Sequence, residues 1–167
     1  MEYFQIRQDD RADNCIIPQL GTADEIWKSD QPLFIPASAR NPADYIYFLP
    51  YIDKPLAMVS DAFKKIIETY QSKTLFRPCA VGSIEQRRVE VYWLVKPRII
   101  DCLHEDTTYF VDGTLKEICI SKDKAGFNKA FAIDGVKGNH FIVDTEVLER
   151  LYREGLTALQ VIPVKAV

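Results

Sequence analysis

The chain has 167 residues, 21 Lys plus Arg against 24 Asp plus Glu, and a formal net charge of −3. A length of this order suits one domain of one or two lobes, with a core that needs neither disulfides nor metals to hold it. Apolar residues at 47% and charged residues at 27% exclude a disordered chain. The mild acidity lacks the clustered basic excess that nucleic acid requires. No charge-free stretch exceeds ten residues, so no membrane-crossing helix of about 20 residues is expected.

Tyr3–Gln8 places Phe4 and Ile6 on one face and reads as a half-buried strand. Met1–Gln5 has no basic segment followed by a long apolar one, so no secretory signal is expected. Asp9, Asp10 and Asp13 then form a charged loop. Residues 1–57 hold six of the nine prolines but only one glycine, Gly21. Proline interrupts helices and central strands, so this region should consist of short strands and extended connections. Tyr45–Leu49 reads as a strand stopped by Pro50.

Ser60 and Asp61 open an amphipathic helix with Phe63, Ile66, Ile67 and Tyr70 on its apolar side. Leu75–Val81 and Val89–Val95 are apolar runs about a polar turn, which predicts a hairpin. The second run is apolar on both faces and is expected to be mostly buried on both. Leu115–Ile120 is a further strand, and Ala130–Ile133 and His140–Val143 flank a glycine-bearing loop. Asp144 or Thr145 caps a second helix that carries Val147, Leu148, Leu151 and Tyr152 inward and ends at Gly155. Leu159–Val164 is the last strand, and strand, helix, strand in this order admits a parallel pair. The expected fold class is α+β: a mostly antiparallel sheet, two main amphipathic helices at about 60–71 and 145–154, and a Pro-rich N-terminal region of short strands. The expected organisation is a single domain with two lobes, 1–57 and 58–167.

Cys15, Cys79, Cys102 and Cys119 include no CxxC pair, so no zinc-finger site is expected, nor any other metal or cofactor. They read as free thiols in a reducing compartment. Cys102 and His104, two apart on an extended segment, form the one suggestive pair for thiolate chemistry. The plainer reading is a strand end entering the acidic loop Glu105-Asp106. Phosphate-loop, dinucleotide, HExxH and GxSxG motifs are absent. Nothing in the residues argues for an enzyme. In the aromatic cluster, alternation turns Ile46 and Phe48 inward and leaves Tyr45 and Tyr47 toward solvent. Tyr45, Tyr47 and the nearby Tyr51 serve either ordinary packing or a partner contact.

Three stretches carry a resemblance. The first is Tyr3-Phe4-Gln5-Ile6-Arg7-Gln8-Asp9. The second runs from Pro55 to Phe76 and continues through Tyr92-Trp93-Leu94 to Ile99-Ile100-Asp101-Cys102-Leu103. The third is Phe131–Gly135, Phe141–Val143 and Leu148–Arg150, closing on Val161–Val164. Together and in order they resemble the bacterial α+β immunity-protein family of polymorphic toxin systems. His104-Glu105 stand where that pattern has an acidic pair, so the resemblance implies no particular toxin. It implies a cytoplasmic, non-catalytic protein that binds and neutralises a cognate toxin domain. Such protection calls for nanomolar binding, about −12 kcal/mol, over roughly 1,600 Å² of buried surface. Expected contact residues are Asp9, Asp10, Asp13, Tyr45, Tyr47, Tyr51, Glu105 and Asp106. The alternatives are a small cysteine-dependent enzyme using Cys102 and His104, or a ligand-sensing or scaffold module with an apolar pocket.

Overall fold

Runs of β-branched and aromatic residues with a period of two dominate this sequence, and sheets dominate its fold. A computed structural model describes residues 1–19 and 23–167; Gly21 lies outside them. The strands are β1 (Tyr3–Gln8), β2 (Ile17–Pro18), β3 (Phe34–Ser38), β4 (Tyr51–Ile52), β5 (Met58–Ser60), β6 (Leu75–Ser83), β7 (Arg88–Lys96), β8 (Ile99–Ile100), β9 (Thr108–Tyr109), β10 (Leu115–Glu117), β11 (Cys119–Ile120), β12 (Ala130–Ile133), β13 (Phe141–Asp144) and β14 (Leu159–Ala166). The helices are α1 (Ala23–Lys28), α2 (Asp61–Tyr70), α3 (Lys122–Ala125) and α4 (Thr145–Arg153).

The α+β expectation is corrected by these elements. Among the described residues strands far outweigh helices, and only two of the four helices reach seven residues, so this is a β-rich fold of curled sheets with small helices. The physical reason lies in length. The two amphipathic stretches make helices of ten and nine residues, enough to fill a gap between sheets but not to form a layer of their own. Tyr45–Leu49 is not a strand either; its one ladder contact is an isolated bridge from Tyr47 to Cys15.

Two six-stranded sheets carry the fold, ordered β11-β14-β1-β13-β12-β8 and β2-β3-β6-β7-β5-β4, and β9 and β10 form a separate ribbon. Most pairings are antiparallel; β3–β6, β8–β12 and β11–β14 are parallel. β13 and β14 do not pair with each other, because β1 lies between them and is antiparallel to both. The main core lies between the sheets. Ile6, Phe141 and Val143 of one sheet meet Tyr51, Val59 and Val95 of the other, with Phe63, Ile67, Val147 and Leu151 from α2 and α4 filling the space. A second core, on the face of β6 and β7 turned away from the first sheet, gathers Ile16, Ile35, Ile46, Tyr92 and Leu94. A third, beyond the outer face of the first sheet, holds Tyr3, Cys102, Ile120, Phe131 and Ile142.

Both longer helices begin at side-chain caps. The Ser60 hydroxyl accepts the Phe63 N–H at 3.3 Å, and the buried Asp144 carboxylate accepts the Val147 N–H at 2.9 Å. Desolvation holds the Asp144 carboxyl above its ordinary value despite that bond. The folded chain therefore keeps this proton to higher pH than the unfolded chain does. The stability from this effect is complete below about pH 4 and is lost as pH rises through the raised folded value. Asp144→Asn keeps a capping acceptor without the charge, so it should remove that part of the pH slope. Asp144→Ala, which loses the cap, should cost about 1–2 kcal/mol. Urea melts at pH 4 and pH 7 measure both, and an Asn variant with the wild-type slope would acquit Asp144.

Candidate functional site

The face of the second sheet that carries the main core is covered over only part of its length. Register places Phe76 opposite Val95, Pro78 opposite Trp93, Ala80 opposite Val91 and Gly82 opposite Val89. Phe34 and Pro36 of β3 line up with Ala80 and Gly82. Helix α2 covers the first part of this face. Its Asp61 accepts the Trp93 indole N–H at 3.0 Å, and its Lys64 ammonium sits 4.1 Å from the Trp93 ring centre. Beyond Trp93 nothing among the described residues covers the strands. Phe34, Val89 and Val91 are 52%, 58% and 56% exposed. With Pro36, Pro78, Ala80 and Gly82 they make a sheet face that carries no polar side chain.

Gly82 shapes this face. A Cβ there would come within 2.8 Å of the Phe34 ring and 3.1 Å of a Val89 methyl. The missing side chain lets Phe34 lie flat across β6. Ile84, 81% exposed in the following turn, extends the apolar surface to the end of the hairpin.

That hairpin end is where several of the expected contact residues collect. Tyr45 and Tyr47 are exposed and meet edge to face at 4.9 Å. The Arg88 guanidinium lies over the Phe48 ring at 4.3 Å and donates to the Ile46 carbonyl at 3.1 Å. Asn14 fastens the acidic loop to the same segment. Its side-chain amide donates to the Asn41 and Tyr45 carbonyls at 3.0 and 2.9 Å, and its carbonyl oxygen accepts the Asn41 N–H at 2.8 Å. Asn14 holds φ at +55°, a left-handed conformation that asparagine tolerates. Asp10 and Asp13 are exposed on this loop. Asp9 is turned in, and its hydrogen bond to Arg11 at 2.8 Å holds its carboxyl below the usual range.

The other expected contacts go elsewhere. Tyr51 is fully buried, stacked on Phe63 at 5.9 Å, and so is a core residue rather than a contact. Glu105 and Asp106 are exposed beside the third core, and Lys165 at 3.0 Å draws the Asp106 carboxyl below its usual value. Cys102 is buried, and burial first, then the Asp101 charge, pushes its thiol up to about 11. His104 turns away from it toward Asp106 and Cys119.

A cleft of about 730 Å³ opens on the outer face of the first sheet, between the β9–β10 ribbon and residues 53–55. Arg7, Lys54, Lys116, Lys137 and Lys165 line it against only Asp53 and Glu117. On its floor the buried Gln5 amide donates to His140 Nδ1 at 2.8 Å, and His140 Nε2–H donates to the Lys137 carbonyl at 2.8 Å. A smaller apolar pocket of about 300 Å³ lies on the far side of the 134–140 loop. No helix among the described residues is long and apolar enough to cross a membrane. No protein-family model matches this chain, and no curated protein matches it either.

Proposed function

We propose that this chain is a non-catalytic immunity protein, acting in the cytoplasm, that neutralises a cognate toxin domain by gripping it through the bare face of β3, β6 and β7. The observation that carries this reading is the run of Phe34, Val89 and Val91 left open beyond α2. Exposed together these side chains cost the free chain solvation energy, and a partner that covers them recovers it. Tyr45 and Tyr47 stand at the same hairpin end, on a segment packed against the opposite side of the sheet through Phe48 and Arg88, and are large, rigid rings with polar tips, a chemistry favoured in binding hot spots. The exposed Asp10 and Asp13 add negative charge that steers a basic partner toward the same end. The motif resemblance points the same way. A raised thiol at Cys102 is a poor nucleophile, which disfavours the cysteine-enzyme alternative.

Co-expression with any toxin domain encoded beside the gene tests the proposal. Growth should be restored, and the two proteins should purify as a complex. No protection, together with no complex, sinks it.

The cationic cleft favours a second reading, a module that senses a small anionic ligand. Melting in the presence of phosphorylated and carboxylated metabolites examines it. A stabilising ligand whose effect fails in Arg7→Ala supports that reading, and a screen without any such ligand removes it.

A further inference from the structure

We propose that His104, Asp106 and Cys119 bind a zinc ion. The three side chains offer one nitrogen, one oxygen and one sulfur, and these donor atoms all lie within 4.8 Å of one another. Zinc takes these donor types at about 2.0–2.3 Å, which makes the edges of its tetrahedron roughly 3.3–3.7 Å. His104 Nδ1 and Asp106 Oδ2, 3.7 Å apart, already have that spacing, and Nδ1 would exchange its long 3.2 Å hydrogen bond from the Asp106 N–H for the ion. Cys119 is buried and fixed. The His104 and Asp106 side chains are partly exposed, so small rotations bring them onto an ion beside the sulfur.

The backbone under the site is cross-linked. Leu103 bridges Ile120, and the His104 N–H donates to the Cys119 carbonyl at 2.9 Å. The Thr107 hydroxyl donates to the same carbonyl at 2.8 Å and accepts the Cys119 N–H at 3.2 Å. The segments that carry the ligands are therefore held together before an ion arrives, which lowers the ordering cost of binding. The position also draws a cation already, since the Lys165 ammonium stands 3.0 Å from Asp106 Oδ2 on a largely exposed side chain that a divalent ion can displace.

Thiolate, carboxylate and neutral imidazole together carry two negative charges, which Zn²⁺ balances. The Cys119 thiol proton leaves to solvent on binding. Magnesium and calcium, which prefer all-oxygen shells, do not suit a sulfur and an imidazole. Three protein ligands leave the fourth position to water. The ion would tie the 103–107 loop to β11.

The test is titration of the metal-free full chain with Co²⁺, followed by displacement with Zn²⁺. One equivalent of Co²⁺ should produce a thiolate charge-transfer band and the visible bands of a tetrahedral site, and Zn²⁺ should abolish both. Cys119→Ser should lose the charge-transfer band, and His104→Ala should weaken uptake at least tenfold. Cys15→Ser should change neither. His104 is partly exposed, so His104→Ala should fold and melt like the metal-free wild type, which keeps the test valid if Cys119→Ser misfolds. Absence of stoichiometric uptake by the wild type, loss of the band in Cys15→Ser, or undiminished uptake by His104→Ala overturns the proposal.

Discussion

Replacing Phe63 by alanine is expected to cost about 3–5 kcal/mol of stability, the usual range for truncating a buried phenylalanine. The residue is fully buried and belongs to a three-ring cluster. Its ring lies 5.9 Å from Tyr51 and 6.2 Å from Phe141, and those two are 6.0 Å apart. Each ring comes from a different element: Phe63 from α2, Tyr51 from the second sheet and Phe141 from the first. The cavity left by alanine would open where three layers meet, so no single element could relax to fill it. In a chain of this length a loss of that size lowers the melting temperature by roughly 6–20 °C. Phe63→Leu preserves most of the volume and should cost less than about 1.5 kcal/mol. Thermal and urea melts of both variants decide the matter, and an alanine variant within 1 kcal/mol of wild type would show that the sheets do not meet through these rings.

On the proposed function, Val91→Glu is expected to weaken the complex with a toxin domain by at least 100-fold while leaving the fold intact. Val91 is more than half exposed, so the free protein pays little beyond strand propensity, about 1 kcal/mol or less. In the complex the same carboxylate would be desolvated against an apolar surface without a counter-charge, a penalty of several kcal/mol. Gly82→Ala is a subtler probe. Its Cβ meets the far end of the Phe34 ring, so the ring must swing away and the flat face gains a ridge. Stability should change by less than about 1 kcal/mol, whereas affinity should fall. Glu105→Lys, remote from the face, should leave binding unchanged. Calorimetric titration with the purified toxin domain measures all three, and wild-type affinity in Val91→Glu would place the interface elsewhere.

Local physics made parts of this molecule legible. Alternation along Tyr45–Phe48 separated the buried Ile46 from the exposed Tyr45 and Tyr47, because side-chain direction needs only neighbouring residues. Ser60 and the Asp144–Thr145 pair marked helix starts for the same reason. The half-open face was not legible. Val89, Val91, Trp93 and Val95 share one face, in a strand that reads as mostly buried on both sides. A ten-residue helix is about 15 Å long, and a nine-residue strand is about 30 Å. α2 can therefore cover only half of β7, and which half depends on a packing that no local pattern encodes. Tyr51 sits near Tyr47 in sequence, which suggests a shared surface, but its companions in the fold are Phe63 and Phe141. The pairing of His104 with Cys119 in place of Cys102 rests on the Leu103–Ile120 bridge. The cationic cleft draws on positions scattered from Arg7 to Lys165. Distances of that kind belong to topology.

The place of β1 has a kinetic consequence. It is an inner strand of the first sheet, yet both of its neighbours come from positions more than 130 residues further along the chain. Closing so long a loop costs entropy before any ladder bond compensates it. The helix-bearing middle of the chain can organise early, but this sheet assembles only after a distant search. Slow, topology-limited refolding is thus built into the architecture.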